Sequence, residues 1–219
     1  MKLIIKYSRK RAAAYLSHLD MQRTFARALR RANIDVVYSQ GFNPHIVMSF
    51  ASPLSVGFET EADYIEVGVN EGVDPKAAKD ALNNVFTGDI RVLAAFYPQK
   101  TEKKLMSLNH SAQYSINFAF KNKSDYDKIK AAVQRINSEA FVTKDRKGRE
   151  VDVSALVLES HCEGDTVFAT LVNSSSAALN PKVLAGALLE CAGLKAAFSI
   201  CRKECFAMLN GTVTPMLEL

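Results

Sequence analysis

The chain has 219 residues, 48% of them apolar, and a formal net charge of +5. That length holds one large domain or two of roughly 100 residues each, with ample core-forming side chains, which excludes a disordered chain. No apolar run approaches the ~20 residues of a membrane-spanning helix, and the apolar stretch in Met1-Lys-Leu-Ile-Ile-Lys-Tyr7 is too short for a signal peptide, so a cytoplasmic protein away from membranes is expected.

Leu3–Tyr7 reads as a first strand. A helix follows from Ser17, whose hydroxyl can cap backbone N–H groups while Asp20 stands three residues on. At 100° per residue, Met21, Phe25, Ala28, Leu29 and Ala32 fall on one face of this helix and Arg23, Arg27, Arg30 and Arg31 on the other. Asp35–Tyr38, Ile46–Phe50 and Ala62–Val69 read as strands, the last alternating Tyr64, Glu66 and Gly68 against Ile65, Val67 and Val69. Asp74-Pro75 opens a second helix in the favoured cap-then-proline order, and Ile90–Tyr97 closes the set as a strand. Glu59, Glu61 and Asp63 read as a solvated acidic turn before the fourth strand.

The order β-α-β-β(-β)-α-β suits a ferredoxin-like sandwich, and the remainder repeats it. Strands are expected at Gln113–Phe120, Ala140–Lys144, Val151–Leu158, Thr166–Val172 and Ala197–Cys205, with a turn at Asp145–Gly148 and helices at Ser124–Ile136 and Pro181–Cys191. The expected fold is therefore α+β, in tandem ferredoxin-like units over residues 1–98 and 110–219, with helices on one face of antiparallel sheets.

Charge is uneven along the chain. The first 56 residues hold nine lysines and arginines against Asp20 and Asp35. A cationic patch concentrates polyanions, and planar guanidiniums suit phosphate, so RNA binding is the preferred reading. The residues expected to carry it are Arg9, Lys10, Arg11, Arg23, Arg27, Arg30 and Arg31, with Tyr15, Tyr38 and Phe42 available to stack on unpaired bases. Ser39, Gln40, Asn43 and His45 place donors and acceptors on a loop that Gly41 lets bend and Pro44 stiffens, a composition shared by preorganised sites and tight turns. His18, on the buried side of the first helix near its start, is placed to meet His45. Such a pair can serve as acid and base in RNA cleavage, against the plainer alternative of a histidine bonded to backbone.

Cys162, Cys191, Cys201 and Cys205 read as buried free thiols, without paired CxxC spacing, and no metal site is expected. No Walker loop, GxGxxG or Gly-x-Ser-x-Gly elbow occurs, which argues against nucleotide, dinucleotide and hydrolase classes.

Leu16-Ser-His-Leu-Asp20, Arg27-Ala-Leu-Arg-Arg31, Tyr38-Ser-Gln-Gly-Phe-Asn-Pro-His45 and Ser49-Phe-Ala-Ser-Pro-Leu-Ser-Val-Gly57 closely resemble the radical SAM-linked protein family. Members of that family are encoded beside, or fused to, a large radical-SAM protein and have no established activity. The resemblance implies a separately encoded radical-SAM partner. The CxxxCxxC spacing of a radical-SAM cluster is missing here, so no cofactor is expected in this chain. Further on the likeness thins: Glu150-Val-Asp-Val-Ser-Ala155 and Asn180-Pro181 stand where the family pattern carries Arg-Pro pairs. The double-sandwich reading with a basic first helix is also similar to CRISPR-repeat-processing endoribonucleases, an analogy of fold alone. The expected function is an accessory RNA-binding module for the radical-SAM enzyme, with no activity of its own. The alternatives are a protein–protein adaptor docking on that enzyme, and a metal-independent endoribonuclease using His18 and His45.

Overall fold

In the computed structural model, which describes residues 1–86, 88–145 and 147–219, the chain is an α+β protein with strands paired antiparallel. It divides into two units, Met1–Asn109 with Cys205–Leu219, and His110–Glu204. This corrects the expected assignment of the whole C-terminal end to the second unit. The last strand outruns its expected end at Cys205 and carries residues 205–219 into the first unit.

The first unit contains β1 (Lys2–Arg9), α1 (His18–Arg31), β2 (Met48–Phe50), β3 (Glu59–Gly68), α2 (Pro75–Val85), β4 (Ile90–Phe96) and α3 (Leu105–Leu108). β1 lies between β4 and β3, with Lys2 opposite Gly68 and Ile4 opposite Phe96, and the short β2 pairs with β3 from Met48–Val67 to Phe50–Ile65. The apolar face of α1 settles on this sheet as its periodicity predicts: Met21, Phe25, Ala28 and Leu29 are buried. Phe25 is the hub, with ring centroids 4.8 Å from Tyr7, 5.8 Å from Phe50 and 5.1 Å from Phe86, all edge to face. Truncating such a side chain to alanine costs about 3–5 kcal/mol.

Three local expectations change here. Asp35–Tyr38 is not a strand but two isolated bridges, Val36 to Val69 and Tyr38 to Ile46. The Val37 N–H donates to Gly68 and its carbonyl accepts from Val47, so the segment divides its bonds between two partners. Gly68 gives this junction room, because a Cβ there would stand a tight 3.3 Å from the Cβ atoms of both Val37 and Val47. The acidic stretch is not a solvated turn either. Glu59 and Glu61 lie within β3, and buried Asp63 accepts the Tyr7 hydroxyl at 3.3 Å. The expected linker instead folds into α3, whose Leu105 N–H donates to the buried Glu66 carboxylate at 3.1 Å while Leu105 and Leu108 enter the interior.

The second unit contains β5 (Asn109–Phe118), α4 (Lys123–Ser138), β6 (Val142–Lys144), β7 (Glu150–Asp152), β8 (Val157–Glu163), β9 (Thr166–Val172), α5 (Pro181–Ala192) and the first part of β10 (Phe198–Leu209). β9 pairs with β5 on one side and β8 on the other, and β6 with β7 forms a separate two-stranded ribbon. The strand expected over Val151–Leu158 breaks because Asp152 Oδ1 accepts from the Ser154 hydroxyl and the Ala155 N–H, bending the chain between β7 and β8. Asn180 caps α5 by accepting the Lys182 N–H. The expected turn at Asp145–Gly148 includes residue 146, outside the described residues. β11 (Thr212–Pro215), absent from the sequence reading, pairs with the end of β10. None of the four cysteines forms a disulfide among the described residues, and only Cys205 is buried, the other three being half-buried.

Candidate functional site

The start of α1 is built as its sequence requires. Ser17 Oγ accepts the Asp20 N–H at 3.2 Å and donates to Asp20 Oδ2 at 2.7 Å, a reciprocal cap. Hydrogen bonding from Ser17, assisted by the charges of Arg23 and Arg27, holds the Asp20 carboxyl below its usual range. Arg23 lies 3.6 Å from Asp20 and is largely exposed, so this pair contributes little to stability.

The basic set expected to meet phosphate is smaller than its sequence count. Arg9 is buried at 3% exposure and is removed from it. Its terminal nitrogens donate to the carbonyls of Leu16, Ser55 and Phe58 at 3.3, 3.4 and 3.3 Å, tying the loop after β2 to the approach to α1. The reason is positional: Arg9 ends β1 on its buried face, where no solvent is available and backbone acceptors are. Lys10 pairs with Glu61 at 2.9 Å. Arg11 is exposed, with its backbone N–H on Glu59.

Arg27, Arg30 and Arg31 are exposed, and among the described residues none has an ion-pair partner within 4.0 Å. Together with Thr24, Ala28, Val85, Phe86 and Ile90 they line an open cavity of about 460 Å³ between α1 and the end of α2. Two residues before Val85, the Asn83 amide donates to the Val92 carbonyl and accepts the Val92 N–H, fastening α2 to β4. Sequence reasoning found the arginines but missed Thr24 and Phe86. An aromatic residue ending an amphipathic helix carries no signal that separates core from cavity wall.

The Ser39–His45 loop is a closed hairpin tip. The Ser39 N–H donates to the His45 carbonyl at 2.8 Å, the His45 N–H donates to Ser39 Oγ at 3.1 Å, and Ser39 Oγ lies 3.0 Å from His45 Nδ1. Gly41 turns at φ 123°, in the region that favours glycine. Gln40, Asn43 and Pro44 are exposed, and Phe42 is displayed completely. Tyr38 is 41% and Tyr15 72% exposed, so neither is a core residue. Among the described residues, no hydrogen bond, ion pair or ring contact joins this loop to the arginines of α1.

His18 is corrected most sharply. It is exposed at the first position of α1, its ring meeting Phe50 edge to face at 5.1 Å, while His45 is engaged by Ser39. No hydrogen bond links the two histidines among the described residues. Nor do the described residues contain a His/Cys/Asp/Glu group that could hold a metal ion.

Fold and site together define a two-unit α+β protein with an arginine-lined cavity beside α1 and a polar hairpin tip closed by Ser39 and His45. Its residues 2–181 match the family described as "Uncharacterized protein conserved in bacteria (DUF2344)", and the chain belongs to that family. No curated protein matches it. Among solved structures it is similar to one titled "Crystal Structure of an Unknown Protein from Galdieria sulphuraria", at 10% identity and a TM-score of 0.27, covering 92% of this chain and 97% of that one.

Proposed function

We propose that this protein is a non-catalytic RNA-binding module that serves a separately encoded radical-SAM enzyme in RNA modification. The observation carrying the RNA reading is the trio Arg27, Arg30 and Arg31, exposed around one cavity with no carboxylate within 4.0 Å among the described residues. Guanidiniums so placed are ready to exchange solvent for phosphate oxygens. The hairpin tip, with Phe42 exposed and Gln40 and Asn43 beside it, supplies a second contact for a base or a terminus. The radical-SAM partner rests on the family resemblance alone.

The scaffold is read as tandem ferredoxin-like units. Supporting this, β1-α1-β2-β3-α2-β4 follows the β-α-β-β-α-β order, as does β5-α4-β8-β9-α5-β10 once the separate β6–β7 ribbon between α4 and β8 is set aside, and β1 sits between β4 and β3. Cleavage by a histidine pair has no comparable support, since His18 and His45 have different partners.

The deciding experiment substitutes Arg27, Arg30 and Arg31 together by Glu and measures retention of total cellular RNA at moderate salt. Loss of retention in a folded variant supports the reading, and unchanged retention ends it. The adaptor alternative is favoured by the exposed Phe42 tip, and predicts a complex with the radical-SAM enzyme that survives nuclease treatment and is lost on Phe42→Ser.

A further inference from the structure

The cavity on α1 contains one feature that phosphate binding does not use. Phe86, half-buried at the end of α2, lines it beside Thr24, Arg27, Arg30 and Arg31. A surface that only gathers phosphate needs no aromatic wall, and duplex RNA keeps its bases stacked on one another. An unpaired base, by contrast, brings a flat apolar face and an adjacent phosphate as one unit.

We infer that this cavity takes one nucleotide of single-stranded RNA, its base against Phe86 and its phosphate held by Arg27, Arg30 and Arg31. Three observations support the assignment. The Phe86 ring is braced from behind by Phe25, at 5.1 Å between centroids and 68° between planes, so its position is fixed before a ligand arrives. The bonds of the Asn83 amide to Val92 fasten the end of α2 that carries Phe86. Thr24 adds a small hydroxyl among the arginines, able to donate to or accept from a sugar or base edge. At about 460 Å³ the space suits a single nucleotide and not a helical stem. The nucleotide's charge is opposite to that of the three guanidiniums, and its aromatic face matches Phe86.

This inference rests on the RNA-binding reading and narrows it to unpaired RNA. The test uses the full chain with a fluorescent single-stranded RNA of roughly 12 nucleotides, within the usual range of strand-binding sites, the same strand annealed to its complement, and a poly-glutamate peptide. The wild type is expected to bind the single strand at least about tenfold more tightly than the duplex. Phe86→Leu keeps an apolar group against Phe25 but removes the π face, and should weaken single-strand binding by roughly 5- to 100-fold, the usual loss of one base–aromatic stack, while duplex binding stays the same. Phe86→Tyr should restore the single-strand preference. Equal affinity for both RNA forms, or a Phe86→Leu variant that binds like wild type, overturns the inference while leaving a phosphate-gathering RNA surface intact. Absence of RNA binding overturns both, and binding of poly-glutamate in its place, sensitive to Phe86→Leu, assigns the cavity to an acidic peptide.

Discussion

Ser39 closes the loop that ends at His45 with a single hydroxyl: its oxygen accepts the His45 N–H at 3.1 Å and lies 3.0 Å from the His45 ring nitrogen Nδ1. One side chain thereby fixes both the backbone and the imidazole across a seven-residue span. Ser39→Ala removes both contacts while the Ser39 N–H to His45 carbonyl bond remains. Because the site is exposed, water replaces the lost partners and global stability should fall by no more than about 1 kcal/mol. The local effect should be larger. Amide exchange at His45 is expected to accelerate with the rest of the unit unaffected, and protection equal to wild type would show that the hydroxyl does not hold the loop.

Arg9 was expected at the surface and instead serves the interior. Removing the guanidinium takes a donor from three backbone carbonyls, those of Leu16, Ser55 and Phe58, of which Ser55 still accepts the Phe58 N–H at 3.3 Å. Arg9→Met fills similar volume and should cost about 2–4 kcal/mol, less than three separate lost bonds, because burying the charge is itself costly. The urea midpoint measures this. An unchanged midpoint would mean that the loop after β2 is held without Arg9.

The three arginines around the α1 cavity set a quantitative salt dependence. For a single strand, log affinity should fall with log salt at a slope of about −0.7 per neutralised phosphate, or roughly −2 for three contacts. Replacing Arg30 by Gln should flatten the slope by about 0.7. Arg9→Lys, being buried, should leave it alone. Fluorescence anisotropy at several salt concentrations separates these cases, and an Arg30→Gln slope equal to wild type removes Arg30 from the interface.

Much of the first unit was legible because its signals are local. The cap at Ser17, the alternation of apolar and arginine faces on α1, and the Asp74-Pro75 helix start each depend on residues a few positions apart, and each is found in place. What escaped the sequence depends on partners far along the chain. Arg9 is buried because Ser55 and Phe58 fold back to it, and Glu66 because Leu105 donates to it. The two-part bonding of Val37 needs both Val47 and Gly68, which no local pattern encodes. The same limit applies to the candidate site. The arginines announced themselves through helical spacing, whereas Phe86 joins them only through the packing of α1 against α2.

Asp20 gives the α1 cap a pH dependence of definite sign. Its carboxyl is held below the usual range, chiefly by the Ser17 hydroxyl, with Arg23 and Arg27 assisting. A carboxylate with a lowered folded-state value binds fewer protons when folded than when unfolded, so its stabilisation is complete above the ordinary aspartate range and disappears as pH falls through the lowered value. The Asp20→Asn variant lacks the negative charge at every pH. The stability difference between wild type and variant should therefore be flat from neutrality down to the ordinary carboxylate range, then shrink on further acidification. Denaturant titrations of both proteins across that window provide the check. A difference that persists unchanged in acid, or grows, would show that the Ser17 bond to Asp20 does not depend on the carboxylate's charge.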